Sequence, residues 1–342
     1  MKTGIVVIGR NEGERLVRCL KSVLAQSWAV VYVDSGSSDG SVERARELGA
    51  KVIELDRSIP FSASRARNSG LTALREMAEL ECVQFVDGDC EILEGWLDAG
   101  SEFLLANPQF AAVCGKLRER DPGASIYNGI CDVEWSTKTG EVEACGGVAM
   151  YRISALEAVG GFDGSVTAGE ERELCGRLRA QGMKVMRLEA PMATHDAAMS
   201  SFWQWWRREI RAGYGGLDVA SRFEHGNGNF SRQIRSARVW GIGFPLAGVV
   251  IAIASSGFGG WRIAAPAVAV VVCVWLMQVL RIALRTKKPG RTMRFSLAYA
   301  FFLMLAKWAQ LIGQFRYLVD RRRGQRARLI EHKAPAIAGG AP

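Results

Sequence analysis

The chain has 342 residues, 49% of them apolar, and a formal net charge of +9. That length holds one large domain plus an appendage, with apolar residues enough for a sizeable core. The basic balance fits nucleic acid, anionic lipid or phosphorylated substrates, but the cations crowd the C-terminal third beside long apolar runs, which favours a membrane surface and excludes nucleic acid as a partner.

The apolar run at 5–8 reads as a buried first strand and is too short for a signal peptide. Residues 16–24 have helical spacing and 30–33 form a second strand. Asp39 can cap a helix that runs to Leu48 and closes at Gly49. A strand at 52–55, a helix over 64–79 and a strand at 82–86 follow. This βαβαβ rhythm predicts a mostly parallel sheet with helices on both faces, and ligands then gather at the carboxyl ends of the strands. The eight cysteines are scattered singly without CxxC spacing and read as reduced cytosolic thiols filling core space.

Composition changes at Val239. Residues 239–258 and 263–284 read as a helical hairpin, each arm having the roughly 18–20 apolar residues that cross a hydrocarbon core. A third stretch, 295–313, carries Lys307 and Gln310 between Arg294 and Arg316. Arg232, Arg235 and Arg238 precede the hairpin, and Arg281, Arg285, Lys287, Lys288, Arg291 and Arg294 follow it, so both flanks are expected on the cytoplasmic side. The tail also carries Arg321, Arg322 and Arg323, which favours an interfacial or re-entrant third helix over a third crossing. On this reading 1–215 is the catalytic domain, 216–238 a basic amphipathic linker, 239–316 the membrane region and 317–342 a basic, disordered tail.

Five motifs carry chemistry. Asp87-Gly88-Asp89 follows a buried strand; it is either a solvated acidic turn or a pair of carboxylates holding a hard cation against a diphosphate. The segment Asp34-Ser35-Gly36-Ser37-Ser38-Asp39-Gly40 also sits at a strand end, where Asp34 could accept a hydrogen bond from a base or ribose. Glu170 and Glu171 open a helix, where carboxylates either complement the dipole or act as a general base. His195 is either structural or a third metal ligand. Around Trp203, Trp206 and Ile210 one helical face is apolar, with Arg207, Arg208 and Arg211 towards another, as suits a membrane interface, a sugar-stacking surface or a core.

In this order the motifs resemble family 2 glycosyltransferases, inverting enzymes of the GT-A fold. The resemblance covers residues 3–215 and implies a Rossmann-like nucleotide-sugar-binding domain, here with C-terminal transmembrane helices. It implies donor contacts at Arg10 and Glu12 of Arg10-Asn11-Glu12, at Asp34, and at Arg67 and Asn68 of Arg67-Asn68-Ser69-Gly70. Asp87 and Asp89 match the DxD motif, the first expected at the ribose and the second, with Asp87 and His195, at Mn²⁺ or Mg²⁺. Gly146 and Gly147 look like the acceptor-side segment, followed by Gly160-Gly161-Phe162-Asp163. The family has Glu-Asp where this chain has Glu170-Glu171, so Glu171 takes the position of the base and Glu170 remains an alternative. Gln204, Trp206 and Arg207 match the acceptor-side QxxR pattern of processive synthases, but Arg208 replaces the final tryptophan, which argues against processive synthesis.

The expected partners are a UDP- or GDP-sugar donor, a lipid-linked or glycan acceptor, and membrane lipids. The expected location is the inner (plasma) membrane, multi-pass, with the catalytic domain cytoplasmic. A nucleotidyltransferase of similar fold would carry a Gly-rich basic loop after the first strand, which Gly9-Arg10-Asn11-Glu12 is not. A catalytically weak membrane scaffold is the other alternative. Without a Walker loop, GxGxxG or zinc spacing, nothing supports an ATPase, a dehydrogenase or a nuclease.

Overall fold

The structure, a computed structural model, describes residues 1–223, 228–259 and 261–324. They form two compact units, one over Met1–Ser201 and one from Phe202 onward.

The first unit is built on a sheet ordered β3-β2-β1-β4-β8-β6-β9-β5. Its first half is the predicted alternation: β1 (Thr3–Gly9), α1 (Glu14–Leu24), β2 (Val30–Asp34), α2 (Ser41–Glu47), β3 (Lys51–Glu54), α3 (Ala63–Met77) and β4 (Cys82–Asp87). β1 pairs in parallel with both β2 and β4. Covered on both faces, these strands read as unbroken apolar runs, which is why they are visible in the sequence. Gly70 lets α3 lie close on the sheet, since a Cβ there would come 2.3 Å from Val6 Cγ1. That close packing delivers Arg67, one helical turn earlier, to the carboxyl ends of the strands.

The second half is mixed, unlike the mostly parallel sheet expected. It comprises β5 (Cys90–Ile92), α4 (Trp96–Ala106), β6 (Phe110–Glu119), α5 (Ile126–Trp135), β7 (Gly140–Glu141), β8 (Ala149–Arg152), α6 (Ile153–Ala158), α7 (Glu170–Ala180) and β9 (Lys184–His195). β8 runs antiparallel to β4 and β6, β9 parallel to β6, and β5 antiparallel to β9. The last pairing sets Cys90 opposite His195, and the β6–β9 pairing sets Glu119 opposite the same residue.

The second unit contains α8 (Phe202–Ser221), α9 (Gly228–Arg238), α10 (Phe244–Gly259), α11 (Trp261–Thr286) and α12 (Met293–Arg322), with a π-helical turn at Val239–Gly243. The unit boundary therefore falls at Ser201 rather than at 215, because α8 packs along α12. Glycines bring the two backbones together: a Cβ on Gly213 would lie 2.1 Å from the Gln310 carbonyl oxygen, and one on Gly313 2.1 Å from that of Ile210. The Gln310 side-chain amide donates to Glu209 Oε2 at 2.9 Å, Arg238 Nε donates to Gln314 Oε1 at 3.1 Å, and the Ser221 and Tyr317 hydroxyls bond at 2.6 Å. The polar residues that interrupt the third apolar stretch are thus its inward face. Its other face exposes Leu297, Phe301, Trp308, Ile312 and Phe315.

Among the described residues, three helices are long and apolar enough to cross a membrane: Ser231–Ala254, Ala264–Thr286 and Met293–Arg322. The first begins inside the stretch read as a linker, whose earlier part, to Ser221, belongs to α8; residues 224–227 lie outside the described residues. The third is one unbroken helix of 30 residues with no interruption at which a re-entrant segment could turn back. It also absorbs Tyr317 to Arg322, which had been assigned to the tail; the rest of the proposed tail, from 325, lies outside the described residues.

Candidate active site

The D-G-D turn is held against β1. Gly88 N–H donates to the Ile8 carbonyl at 2.8 Å, and a Cβ on Gly88 would come 3.1 Å from that same oxygen. This pins Asp87 at the end of β4 and Asp89 at the entrance to β5, and each carboxylate enters a different cluster.

Asp87 faces Arg67. The guanidinium is 2% exposed, its Nη2 lies 3.0 Å from Asp87 Oδ1 and 3.0 Å from Glu171 Oε1, and its Nη1 lies 3.0 Å from Glu170 Oε1. Its carbon also sits 5.4 Å over the Phe162 ring. Burial works against the charge, but Glu171, Asp87 and Glu170 together hold the Arg67 pKa above its ordinary value. The two glutamates reach it from the first turn of α7, which follows Gly169 in the left-handed conformation. Burial first, and then the charge of Glu170, push the Glu171 carboxyl up to about 7, against the lowering influence of Arg67. Gly147 lies directly over this group: a Cβ there would fall 2.3 Å from Asp87 Oδ2 and 2.8 Å from Arg67 Nη2. A Cβ on Gly146 would meet nothing within 4 Å, so the glycine pair is tight on one side and open on the other.

Asp89, 3% exposed, belongs to the second cluster. Its Oδ2 lies 3.3 Å from His195 Nε2. Ligand atoms of Asp89, Cys90 and His195 lie within 4.8 Å of one another. A carboxylate oxygen and an imidazole nitrogen at this separation are both acceptors, and they need a cation between them: a proton on Nε2, or a metal ion in its place. A hard or borderline divalent ion fits the carboxylate and imidazole. Burial, with Asp89, Asp87 and Glu12 nearby, raises the Cys19 thiol pKa well above its ordinary value, which places Glu12 on the same side as the D-G-D turn.

The remaining expected donor contacts are distributed differently. Arg10 is exposed, 5.4 Å over the Phe61 ring. Glu12 is buried and ion-paired with Arg15 at 2.9 Å. Asp34 already accepts from the Tyr32 hydroxyl and from the backbone N–H groups of Gly36 and Ser37, each at 2.8 Å, and from the Ser37 hydroxyl. Those four bonds match a carboxylate's acceptor positions, and through them Asp34 shapes its own loop. Asn68 bonds the backbone of Phe162 with both ends of its amide, at 2.8 and 3.0 Å, and so fixes the Gly160-Gly161-Phe162 turn. Asp39 is not the cap of α2, which is Gly40 without a side-chain cap bond; it accepts from Ser41 N–H at 3.1 Å and from Gly13 N–H at 2.9 Å, tying the β2–α2 loop to the β1–α1 loop. Asn11, at a φ of 54°, completes the tie by donating its N–H to the Ser37 hydroxyl and accepting from Ser38 N–H. Gln204, Trp206 and Arg207 lie on α8 in the second unit. There Trp205 is buried against Phe302, Trp203 is exposed, and Trp206 stacks on Phe202 at 5.5 Å.

Sequence reading missed the surroundings of His195. Glu119 Oε2 lies 3.4 Å from its Nδ1, and Trp135 packs on the ring at 4.2 Å between centroids. The one available signal was the spacing of Asn128, Asp132 and Trp135, which share a face of α5.

Strand ends that gather a D-G-D turn, a glutamate pair on a helix start and a glycine pair above them define a GT-A glycosyltransferase. Comparison with known proteins agrees. The family model "Glycosyl transferase family 2" matches residues 4–160, and "Glycosyl transferase family group 2" matches residues 130–312. The chain belongs to the family 2 glycosyltransferases. It is 23% identical over 228 residues to glycosyltransferase AglE of Haloferax volcanii, covering 63% of this chain and 73% of that one. To the pre-mycofactocin glycosyltransferase of Mycobacterium tuberculosis it is 27% identical over 208 residues, 56% of this chain and 42% of the relative, so it spans less than half of that protein. Among solved structures it is similar to the mannosyltransferase PcManGT from Pyrobaculum calidifontis, in complex with GDP-Man and Mn²⁺, with a TM-score of 0.62, 17% identity, and coverage of 94% of this chain and 88% of that one. At that identity the likeness speaks for the fold.

Because Arg67 neutralises three carboxylates from two elements, Arg67→Ala should destabilise the protein by about 3–5 kcal/mol, the cost of stranding buried charges. Arg67→Lys, with one point charge in place of a fork, should recover only part of that. Thermal unfolding of the full chain in detergent measures both, and the Ala defect should shrink at acid pH, where the carboxylates are protonated.

Proposed function

We propose that this enzyme transfers a sugar from a nucleotide-sugar donor, a UDP- or GDP-sugar, to an acceptor hydroxyl with inversion at the anomeric carbon. The observation that carries the reading is Glu171, a carboxyl ionising near neutrality and joined through Arg67 to the D-G-D turn. Such a group suits a general base, whose efficiency is greatest when its pKa lies near the working pH. Glu171 takes the proton of the acceptor hydroxyl, that oxygen attacks the anomeric carbon, and the nucleoside diphosphate leaves from the opposite face carrying the bond pair. Asp89 and His195, with Asp87, would hold Mn²⁺ or Mg²⁺, which when bound offsets the charge gathering on the leaving diphosphate. Arg67 orients Asp87 and Glu171 together. Gly146 and Gly147 leave backbone, without side chains, at the acceptor side.

Glu171→Gln should bind donor normally and lose roughly 10²–10⁴-fold in transfer rate. In the wild type kcat/KM should fall below about pH 7, since the raised carboxyl is then protonated and no base remains. Glu170→Gln removes the like charge and should move that acid limb to lower pH. A dead Glu170→Gln with an active Glu171→Gln would exchange their roles, and a product of retained configuration would refute the single displacement.

Chelation should abolish transfer, with Mn²⁺ or Mg²⁺ restoring it, and Asp89→Ala should lose activity by orders of magnitude while staying folded. Full activity in excess chelator would end the metal assignment.

The second unit supports a membrane enzyme with a lipid-linked acceptor. Leu246, Val249 and Ile253 on α10 and Val272, Leu276 and Leu280 on α11 are exposed, a surface suited to acyl chains rather than water. The basic flanks support a cytoplasmic position for the catalytic unit. α12, with its polar face taken by α8 and its other face apolar, suits an interfacial position. Among the described residues Cys273 is the one exposed cysteine. In a Cys273→Ser background, a cysteine introduced by Glu47→Cys should therefore react with an impermeant thiol reagent in broken cells and not in intact ones. Labelling in intact cells would reverse the topology.

A further inference from the structure

We propose that Glu119 is a positioning residue for the metal site: it fixes the His195 ring so that Nε2 faces Asp89 as a ligand atom. The inference rests on the metal role given to Asp89 and His195 above, and it adds a residue that neither the motifs nor the family matches supply.

The strand pairings create the juxtaposition. β9 ends at His195 between β5 on one side and β6 on the other, so Cys90 and Glu119 both lie opposite it. The Glu119 side chain is fully buried (0% exposed), and its Oε2 is 3.4 Å from His195 Nδ1. An ionised carboxylate only accepts, so the hydrogen of that bond belongs to Nδ1. With Nδ1 committed to Glu119, Nε2 is the nitrogen left facing Asp89 Oδ2, 3.3 Å away, where its lone pair would be offered to a bound metal ion. Burying an unneeded carboxylate would cost several kcal/mol, and here the surroundings are built to keep it. Asn128 Nδ2 donates to Oε1 at 3.3 Å, and the Ala197 N–H donates to it at 3.1 Å. Asp132 accepts the Glu119 N–H at 3.2 Å and is itself clamped by Arg118 at 2.7 and 3.1 Å. Trp135, one turn further along α5, packs on the imidazole at 4.2 Å with a 60° tilt and limits its rotation. The whole exposed-side geometry of His195 is therefore set from behind, by one helix and one strand end.

A purely structural role is the competing account, because Glu119 also receives the Ala197 N–H after the strand. Glu119→Gln separates the two. Its Oε1 still accepts from Ala197 and Asn128, but its amide donates towards Nδ1, so the ring hydrogen moves to Nε2 and blocks the ligand position. The probe is Mn²⁺, titrated into the full chain in detergent with UDP and with GDP in parallel, and followed by loss of the free Mn²⁺ electron paramagnetic resonance signal. Glu119→Gln should weaken Mn²⁺ binding about 10–100-fold, the usual effect of losing such an outer partner. In a His195→Ala background the same substitution should cause no further loss. The chain has three histidines, so ¹⁵N-histidine spectra should resolve the His195 ring: Nδ1 should carry a hydrogen in the wild type, with or without metal, and should lose it in Glu119→Gln. Wild-type Mn²⁺ affinity in Glu119→Gln, an equal loss with and without His195, or a wild-type ring without a hydrogen on Nδ1 would each overturn the proposal. His195→Ala with undiminished Mn²⁺ affinity would instead remove His195 from the metal site, and with it the ground for the proposal, while the spectra still report whether Glu119 orients the ring.

Discussion

The site depends on one buried guanidinium. Arg67 comes from α3, the two glutamates from α7 and Asp87 from β4, and none of these elements is adjacent in sequence. Three carboxylates so close together would repel one another and pay heavily for lost hydration. Arg67 makes the group tolerable, and its planar fork satisfies partners in more than one direction. The arrangement remains short of positive charge, which keeps the Glu171 proton affinity high despite the adjacent arginine. The raised Glu171 pKa is thus the result of burial first and of incomplete neutralisation second.

The D-G-D turn joins this group to the second one. Its middle residue touches the β1 backbone, so the turn cannot drift, and the carboxylates on either side are committed to different neighbours. Asp87 belongs with arginine and the glutamates, and Asp89 with histidine. That division gives two chemically distinct acids two residues apart: one half-exposed beside a cation, one buried beside an imidazole. The loops at the ends of β1 and β2 are stitched through Asn11, Gly13, Ser37, Ser38 and Asp39, so this edge of the sheet is shaped by backbone–side-chain bonds.

The second unit follows a different rule. In α12 the Gln310 amide N–H donates to Glu209 of α8 and Gln314 Oε1 accepts from Arg238 of α9, and glycines allow the backbones to approach. Glu209, an acid on an otherwise aromatic and basic helix, is buried because Gln310 and Arg208 receive it. Hydropathy averaged along α12 therefore blurs two faces of opposite character, and this is why the stretch reads as an imperfect span.

By itself the sequence determined what local pattern encodes. Unbroken apolar runs of β1, β2 and β4, the intervening helices, the acidic turn after β4, the helix that starts at Glu170 and the apolar segments after 231 are all properties of neighbouring residues, and period, capping and run length reveal them. Tertiary structure decided every matter of partnership. Arg67 and Asn68 are adjacent, yet one meets three acids and the other a backbone turn, since successive residues on a helix point in different directions. Asp34 lies at the predicted strand end, but its acceptor positions are filled by its own loop. Glu119 sits in a strand whose irregular register with β9 no alternation could forecast, and it meets His195 only when residues 76 positions apart in the chain are brought side by side. Charge, hydrogen bonding and burial act over a few ångströms of space, and only the fold states which residues that space contains.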